Sequence, residues 1–82
     1  MNEAAIHERL NNVFHAVFFD DSIRVTADTS PPDVQGWDSV AHITLMAGIE
    51  AEFGIVFTTA ELEMLENVGD ITRLIEAKAN GR

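Results

Sequence analysis

The sequence is dominated by apolar residues that recur at intervals of three and four, a spacing that places them on one face of an α-helix. This pattern predicts a first helix over residues 3–18 and a second helix over residues 39–53. A last helix is predicted after Asn67 as its N-cap, ending at residues 80–82. Three amphipathic helices of this kind bury their apolar faces by packing against one another.

Turn and cap signals separate the predicted helices. Gly54 suits the left-handed backbone conformation that ends the second helix. Thr58 followed by Glu61 spells a capping box, which predicts a short third helix over residues 59–65. The sequence therefore predicts an all-α fold, a small four-helix bundle with three main helices and one short helix.

A long loop is predicted between helices one and two, over residues 19–38. So long a connection in a small domain is typical of a loop with a function. Pro31 and Pro32 fix φ at two successive positions, which prevents a continuous helix there. Residues 32–34 are predicted to form at most a single helical turn.

The second helix is apolar on most of its surface. Its inward stripe is predicted to comprise Val40, Ile43, Leu45, Met46, Ile49 and Phe53. Its outward face is predicted to comprise Ala41, His42, Thr44, Ala47, Gly48 and Ala51. These outward residues are small or weakly polar, which is unusual for a helix face that contacts only solvent.

Length and charge restrict the possible functions. The chain has 82 residues, which predicts one domain spanning residues 1–82 and makes an autonomous enzyme a poor expectation. Fourteen acidic and five basic side chains give a net charge of −9. This charge disfavours nucleic acids and anionic membranes, and it favours protein partners that carry basic surfaces. We expect a monomer.

The absence of cysteine excludes disulfides, thiolate metal sites and a cysteine nucleophile. His7 and His15 lie on the first helix without a third ligand nearby, so no metal site is predicted. The N-terminal residues lack the features of a secretory signal, and no apolar run is long enough to span a bilayer. We therefore expect a cytoplasmic location and no membrane insertion.

One serine stands at the junction between the polar loop and the second helix. Ser39 follows Asp38, and either residue can cap a helix, so the simplest interpretation of Ser39 is a cap alone. Alternatively, Asp38 caps the helix and leaves the Ser39 hydroxyl free at the positive end of the helix dipole. A phosphate ester at that position would gain unpaired backbone N–H donors.

The residues around this serine resemble a known family. The matching segments are Gly36-Trp37-Asp38-Ser39-Val40, Leu45, Ile49-Glu50-Ala51-Glu52-Phe53-Gly54-Ile55, Phe57, Leu62, Asn67-Val68-Gly69-Asp70-Ile71 and Leu74-Ile75. Together they resemble the acyl carrier proteins over nearly the whole chain. Val40 departs from the Asp-Ser-Leu motif of that family but keeps an aliphatic side chain.

The resemblance implies that Ser39 carries a 4′-phosphopantetheine whose thiol holds acyl groups as thioesters, with Asp38 as the adjacent helix cap. It implies a carrier without catalytic residues, loaded by a phosphopantetheinyl transferase. Its further partners would be acyl ligases, synthases or acyltransferases of fatty-acid, lipid or polyketide-like synthesis, with basic docking surfaces. An aminoacyl or peptidyl carrier of nonribosomal synthesis and an unmodified helical interaction module remain alternatives.

Two further sets of residues are predicted to serve a carrier. The partner-binding set comprises Val40, Ala41, Thr44, Ala47, Glu61 and Glu63, although the glutamates could equally be solvated surface residues. The acyl cleft is predicted to be lined by Leu45, Met46, Ile49, Phe53, Ile71 and Ile75. Trp37 is predicted to pack the loop against the bundle, and His42 either to contact the phosphate or to be solvent-exposed.

Overall fold

The computed structural model describes residues 2–80, with the side chain of residue 80 excluded. Its elements are α1 (Glu3–Phe18), a 3-10 turn (Pro31–Asp33), α2 (Ser39–Phe53), α3 (Thr59–Glu63) and α4 (Val68–Asn80). No strand occurs in this part of the chain, so the predicted all-α fold with three main helices and one short helix is confirmed. The predicted end of the last helix extends to residues 81 and 82, which lie outside the described residues.

The first helix begins and ends as its sequence predicts. The Asn2 side chain accepts a hydrogen bond from the Ala5 N–H at 2.8 Å, which satisfies one of the unpaired donors of the first turn. The helix ends where Phe19 adopts a left-handed conformation with φ of 54° and donates its N–H to the His15 carbonyl. The Phe19 side chain is thereby turned into solvent.

The core lies where α1 packs against α2 and α4. The fully buried side chains of these helices are Ile6, Leu10, Phe14, Leu45, Ile49, Val68, Ile71, Thr72 and Ile75. Thr72 is the polar member, and its hydroxyl pairs with the His7 ring nitrogen Nε2 at 3.1 Å. A buried hydroxyl with a partner avoids the cost of an unsatisfied polar group.

Two short elements differ from their predicted bounds. Helix α3 ends at Glu63, two residues early, because the Met64 and Leu65 N–H groups bond to carbonyls only three residues back. The turn in the loop begins at Pro31, one residue earlier than predicted. Proline is tolerated there because the first N–H groups of a helical turn have no partner within it.

The inward stripe predicted for α2 is wrong at two of its six positions. Val40 is 74% exposed and Ile43 is 72% exposed, whereas Leu45, Met46 and Ile49 are buried. At 3.6 residues per turn, the first two residues project away from the side on which the other three meet α1. The apolar pattern concealed this because α2 is apolar on nearly every side.

The outward face predicted for α2 is also only partly correct. Thr44, Ala47 and Ala51 are exposed, but Ala41, His42 and Gly48 are half-buried. Gly48 lies against α1, where an added Cβ would come within 3.0 Å of the Val13 side chain. The small residue therefore allows the two helices to approach closely.

The long loop is tied to the helices by backbone hydrogen bonds. Asn11 of α1 accepts the Val25 N–H through its side-chain oxygen at 2.7 Å. At the start of α4, the Val68 N–H donates to the Thr29 carbonyl at 2.8 Å. These bonds fix the path of the loop against the middle of α1 and the start of α4.

Replacing Gly69 with alanine tests how closely the loop approaches α4. The Gly69 N–H donates to the Ala27 carbonyl at 2.9 Å, and an added Cβ would also lie 2.9 Å from that oxygen. We expect Gly69→Ala to lower the free energy of unfolding by about 1–3 kcal/mol through overpacking. Urea denaturation measures this change in the free energy of unfolding. Helix propensity alone would predict the opposite, a stabilisation, because alanine favours a helix more than glycine does.

Gly48→Ala is the matched control for this substitution. Its nearest neighbour is a methyl group of Val13, which can shift, rather than a backbone carbonyl. We expect a smaller change in the free energy of unfolding at this position. A stabilising Gly69→Ala, or equal losses from both substitutions, would contradict the proposed contact between the loop and α4.

Candidate functional site

The start of α2 is capped by Asp38. Its carboxylate oxygen Oδ1 accepts the Ala41 N–H at 2.8 Å, and its backbone carbonyl accepts the His42 N–H at 2.8 Å. Because the carboxylate caps the helix, the hydroxyl of Ser39 is not needed for capping. Ser39 is exposed, and no described residue forms a hydrogen bond with its hydroxyl.

The first turn of α2 offers donors to an anion. The first four N–H groups of a helix lack partners within it, and here Asp38 satisfies those of Ala41 and His42. The N–H groups of Ser39 and Val40 have no acceptor among residues 2–80. Together with the helix dipole, these two donors favour a negative group attached at the Ser39 side chain.

Trp37 fixes the end of the loop immediately before this cap. Its side chain is only 8% exposed. The indole meets the Phe14 ring edge to face, with centroids 5.3 Å apart and planes at 81°, and it also contacts Phe18 of α1. The prediction that Trp37 packs the loop against the bundle is thus confirmed.

His42 forms a pair with Trp37 that the sequence did not reveal. The indole Nε1–H donates to His42 Nδ1 at 3.1 Å, and the two ring planes are nearly parallel, at 16°, with centroids 6.1 Å apart. An indole N–H can only donate, so Nδ1 carries the lone pair and the neutral imidazole holds its proton on Nε2. Partial burial lowers the pKa of His42 below its ordinary value, which favours this neutral form.

A pocket of about 360 Å³ opens beside the serine hydroxyl. Its lining residues are Pro31, Trp37, Asp38, Ser39 and His42. The loop supplies one wall through the proline ring, and the first turn of α2 supplies the other. The pocket therefore combines an exposed hydroxyl with aromatic and aliphatic surface.

Comparison with known proteins identifies the family. No family model matches the chain. The chain is 38% identical over 58 residues to an acyl carrier protein of Thermotoga maritima, covering 71% of this chain and 72% of the relative. It is 41% identical over 58 residues to acyl carrier protein MbtL of Mycolicibacterium paratuberculosis, covering 71% of this chain and 65% of the relative.

A solved structure agrees with these relatives. It is a solution NMR structure of a holo acyl carrier protein from Geobacter metallireducens, with a TM-score of 0.84 and 39% sequence identity. The match covers 90% of this chain and 85% of that chain. The chain belongs to the acyl carrier protein family. The predicted family and carrier role are therefore confirmed, and the carrier protein holds acyl groups on a covalent 4′-phosphopantetheine.

The residues at the start of α2 fit such a group. Ser39 provides an exposed hydroxyl for a phosphodiester, and its N–H and that of Val40 can donate to the phosphate oxygens. The Asp38 carboxylate accepts the Ala41 N–H of the first helical turn, and this hydrogen bond fixes its position. The carrier protein thus has a surface on which the arm can be attached without any change in the core.

The predicted partner-binding residues of α2 lie on its solvent side. Val40, Thr44 and Ala47 are exposed, and Ala41 is half-buried at the edge of the same face. Ile43, which was predicted to face inward, joins them as an exposed apolar side chain. The carrier protein therefore presents a larger apolar surface beside Ser39 than its sequence predicted.

The two predicted acidic rim residues have different environments. Glu63 is exposed, whereas Glu61 is half-buried and has partners within the protein. Glu61 Oε1 accepts the Thr58 N–H at 2.8 Å and lies 2.9 Å from Lys78 Nζ of α4. The Thr58 hydrogen bond and then the lysine lower the pKa of Glu61. Glu61 therefore stabilises α3, and its place in the partner-binding set stays a prediction.

The predicted acyl-cleft residues are mostly part of the closed core. Leu45, Met46, Ile49, Ile71 and Ile75 are buried in one cluster. Phe53 is half-buried at the end of α2, where the Arg9 guanidinium carbon lies 4.6 Å from its ring centroid. These side chains fill the space between the main helices, so an acyl chain would have to displace them.

Residues 2–80 contain no cluster of three histidine, cysteine or carboxylate side chains that could hold a metal ion. None of the helices described for the carrier protein has both the length and the apolar character needed to cross a bilayer.

Acidification tests the burial of His42 beside Trp37. Since the pKa of His42 in the folded protein lies below its ordinary 6.5, the unfolded chain binds the proton more readily. This contribution to stability is complete above pH 6.5 and is lost as the pH falls through the folded-state pKa. We expect His42→Gln to lose less stability than the wild type on acidification, as measured by chemical denaturation at a series of pH values. Parallel pH profiles for the two proteins would exclude a contribution from His42.

Proposed function

We propose that Ser39 is the attachment residue for the phosphopantetheine arm of this acyl carrier protein. The observation that carries the proposal is the exposed Ser39 hydroxyl, which is left free because Asp38 caps α2. In this role a phosphopantetheinyl transferase joins the arm to the hydroxyl through a phosphodiester. The bound arm supplies a terminal thiol on which acyl groups are held as thioesters.

The chain's own residues bind and present the arm rather than catalyse a reaction. The N–H groups of Ser39 and Val40 have no acceptor among the described residues and can donate to the phosphate, and the helix dipole favours its negative charge. The loop and the first turn of α2 hold the hydroxyl at the surface, where an enzyme can reach it. The catalytic groups belong to the partner enzymes, and the tether raises the local concentration of the acyl group at each of them.

Mass spectrometry tests the attachment. Incubation with coenzyme A and a broad-specificity phosphopantetheinyl transferase should add the mass of one phosphopantetheine to the wild type and none to Ser39→Ala. Ser22→Ala is a matched control, because Ser22 is exposed in the loop and its hydroxyl donates to the Asp20 carboxylate. An unmodified wild type would contradict the carrier function, and a modified Ser39→Ala would contradict the assignment of the site.

We propose fatty-acid, lipid or polyketide-like synthesis as the setting of the carrier. The acyl carrier names of its relatives favour this over an aminoacyl or peptidyl carrier of nonribosomal synthesis. Incubation of the modified protein with acyl and amino-acid ligases separates the two, because each ligase loads only its own class of cargo. The cytoplasmic location and the monomeric state stay predictions from the sequence.

The partner enzymes are proposed to dock on the exposed side of α2. Val40, Ile43, Thr44 and Ala47 form an apolar surface next to Ser39, which we call the α2 surface. Glu63 is proposed to add charge at its rim, while Glu61 contributes mainly through its capping role. An apolar centre with an acidic rim fits transferases, ligases and synthases that carry basic residues around a hydrophobic pocket.

A single substitution on the α2 surface tests the docking proposal. We expect Ile43→Ser to lower kcat/KM for loading by a transferase by about threefold to tenfold, because docking would bury part of the side chain. The free energy of unfolding should change by less than about 0.5 kcal/mol, since the residue is exposed. Loading kinetics and urea denaturation measure the two quantities.

Val56→Ser is the matched control for the docking test. Val56 is 75% exposed and aliphatic, but it lies in the link after α2 rather than beside Ser39. We expect its loading kinetics to match those of the wild type. Similar losses from both variants would indicate a general effect of surface hydrophobicity and would refute a specific α2 surface.

A further inference from the structure

The Trp37–His42 pair leaves one hydrogen-bond donor at the surface beside the attachment site. The indole occupies His42 Nδ1, so the proton of the neutral ring is on Nε2. No described residue accepts from Nε2, and no side-chain nitrogen or oxygen of the described residues is both buried and unpaired. His42 Nε2 is therefore accessible to a group outside the protein fold.

The lining of the pocket beside Ser39 is mainly apolar. Its walls are the Pro31 ring, the edge of Trp37 and the imidazole of His42, with the Ser39 side chain at its border. Asp38 is the other charged or titratable group of this pocket, and α1 faces Trp37 with the apolar rings of Phe14 and Phe18. The pocket is thus mainly a carbon surface with one outward N–H donor.

The first segment of a phosphopantetheine arm has complementary chemistry. It begins with a phosphate that accepts hydrogen bonds, and it continues with a carbon that bears two methyl groups before the first hydroxyl and amide. Apolar methyl groups gain free energy on contact with apolar walls, and a charged phosphate strengthens a hydrogen bond from an imidazole N–H. The His42 N–H donor therefore suits the phosphate, and the apolar walls of the pocket suit the two methyl groups that follow it along the arm.

We propose that this pocket holds the first segment of the arm, with His42 as a binding residue for its phosphate and Pro31 as a wall for its two methyl groups. The proposal rests on the attachment to Ser39 described above. It assigns His42 two bonds on opposite sides of its ring, one from the Trp37 indole and one to the phosphate. The hydrogen bond from the indole fixes the orientation of the imidazole ring, so the Nε2–H donor is pre-organised before the arm is attached.

Nuclear magnetic resonance of the modified protein tests this proposal. The wild type is loaded from coenzyme A carrying ¹³C in the two methyl groups, and mass spectrometry first establishes complete modification. We expect cross-peaks from these methyl protons to the ring protons of Pro31 and to the carbon-bound protons of His42. Complete modification with narrow methyl signals and no such cross-peaks would overturn the proposal while leaving the attachment to Ser39 intact.

Substitutions of His42 distinguish a specific contact between this residue and the arm from a non-specific effect of altering the surface of α2. His42→Ala should lose the cross-peaks between the methyl groups and Pro31, and His42→Gln should retain them, because a glutamine amide can accept from the indole and donate outward. Ile43→Ala is the matched control on the adjacent exposed position and should retain all cross-peaks. Retention in His42→Ala, or equal loss in Ile43→Ala, would refute the role of His42.

A second readout does not depend on the methyl groups. A phosphate next to His42 Nε2 favours the imidazolium form, so the pKa of His42 should rise when the apo protein is converted to the holo protein. His7 and His15 lie on α1, outside this pocket, and their ring signals serve as internal references for a global structural change. An unchanged pKa of His42 in a fully modified protein would contradict the phosphate contact. A protein that accepts no phosphopantetheine would instead overturn the proposed function itself.

Discussion

The packing of the Trp37 indole against α1 is the interaction on which the functional site depends. The indole packs edge to face with Phe14 of α1, and its Nε1–H donates to Nδ1 of His42 on α2. A large aromatic side chain buried between two helices fixes where the loop ends and where the next helix starts. Asp38 follows immediately in the sequence and caps α2, so the Ser39 hydroxyl is not used as the helix cap. The exposed serine is thus held in position by the buried residue two places before it.

Much of this arrangement could be predicted from the sequence, because it follows from local rules. The bounds of α1 and α2 agree with the apolar spacing, and Thr58 and Glu61 form the expected capping box at α3. Asn67 caps α4 as predicted, through a hydrogen bond from the Asp70 N–H at 2.9 Å. Caps and helical periods depend on residues within a few positions of one another, so the sequence alone determines them.

The features that could not be predicted depend on contacts between elements. Val40 and Ile43 face solvent because Leu45 and Ile49 meet α1, and a helix that is apolar on all sides does not indicate which side is buried. His42 is oriented by an indole from the preceding loop, and no spacing rule links those two residues. These residues form the exposed apolar surface of α2 and part of the pocket beside Ser39. Functional residues of this kind break the rule that apolar side chains of a helix face the core, so sequence patterns do not predict them.

The acidic character of the protein is divided between structure and surface. Glu50 accepts the Phe57 N–H at 2.8 Å, and Glu52 pairs with Arg9 of α1 at 2.8 Å. Glu61 is held by a backbone N–H and by Lys78. A net charge of −9 still creates a long-range field that attracts basic partners, but these particular carboxylates already have partners within the protein. Counting acidic residues along the sequence therefore overestimates the charge available for docking.

Helix α3 is the most weakly anchored of the four α-helices described. It has five residues, none of them fully buried, and Leu62 is its apolar contact with the core. A helix this short is marginal without external support, which comes from its capping box and from the Glu61–Lys78 ion pair. That pair is partly exposed, and such pairs contribute at most about 1 kcal/mol. Displacing α3 would uncover the core beside α4 while the Trp37 contact and the Asp38 cap stay intact, so the core could open without altering the position of Ser39.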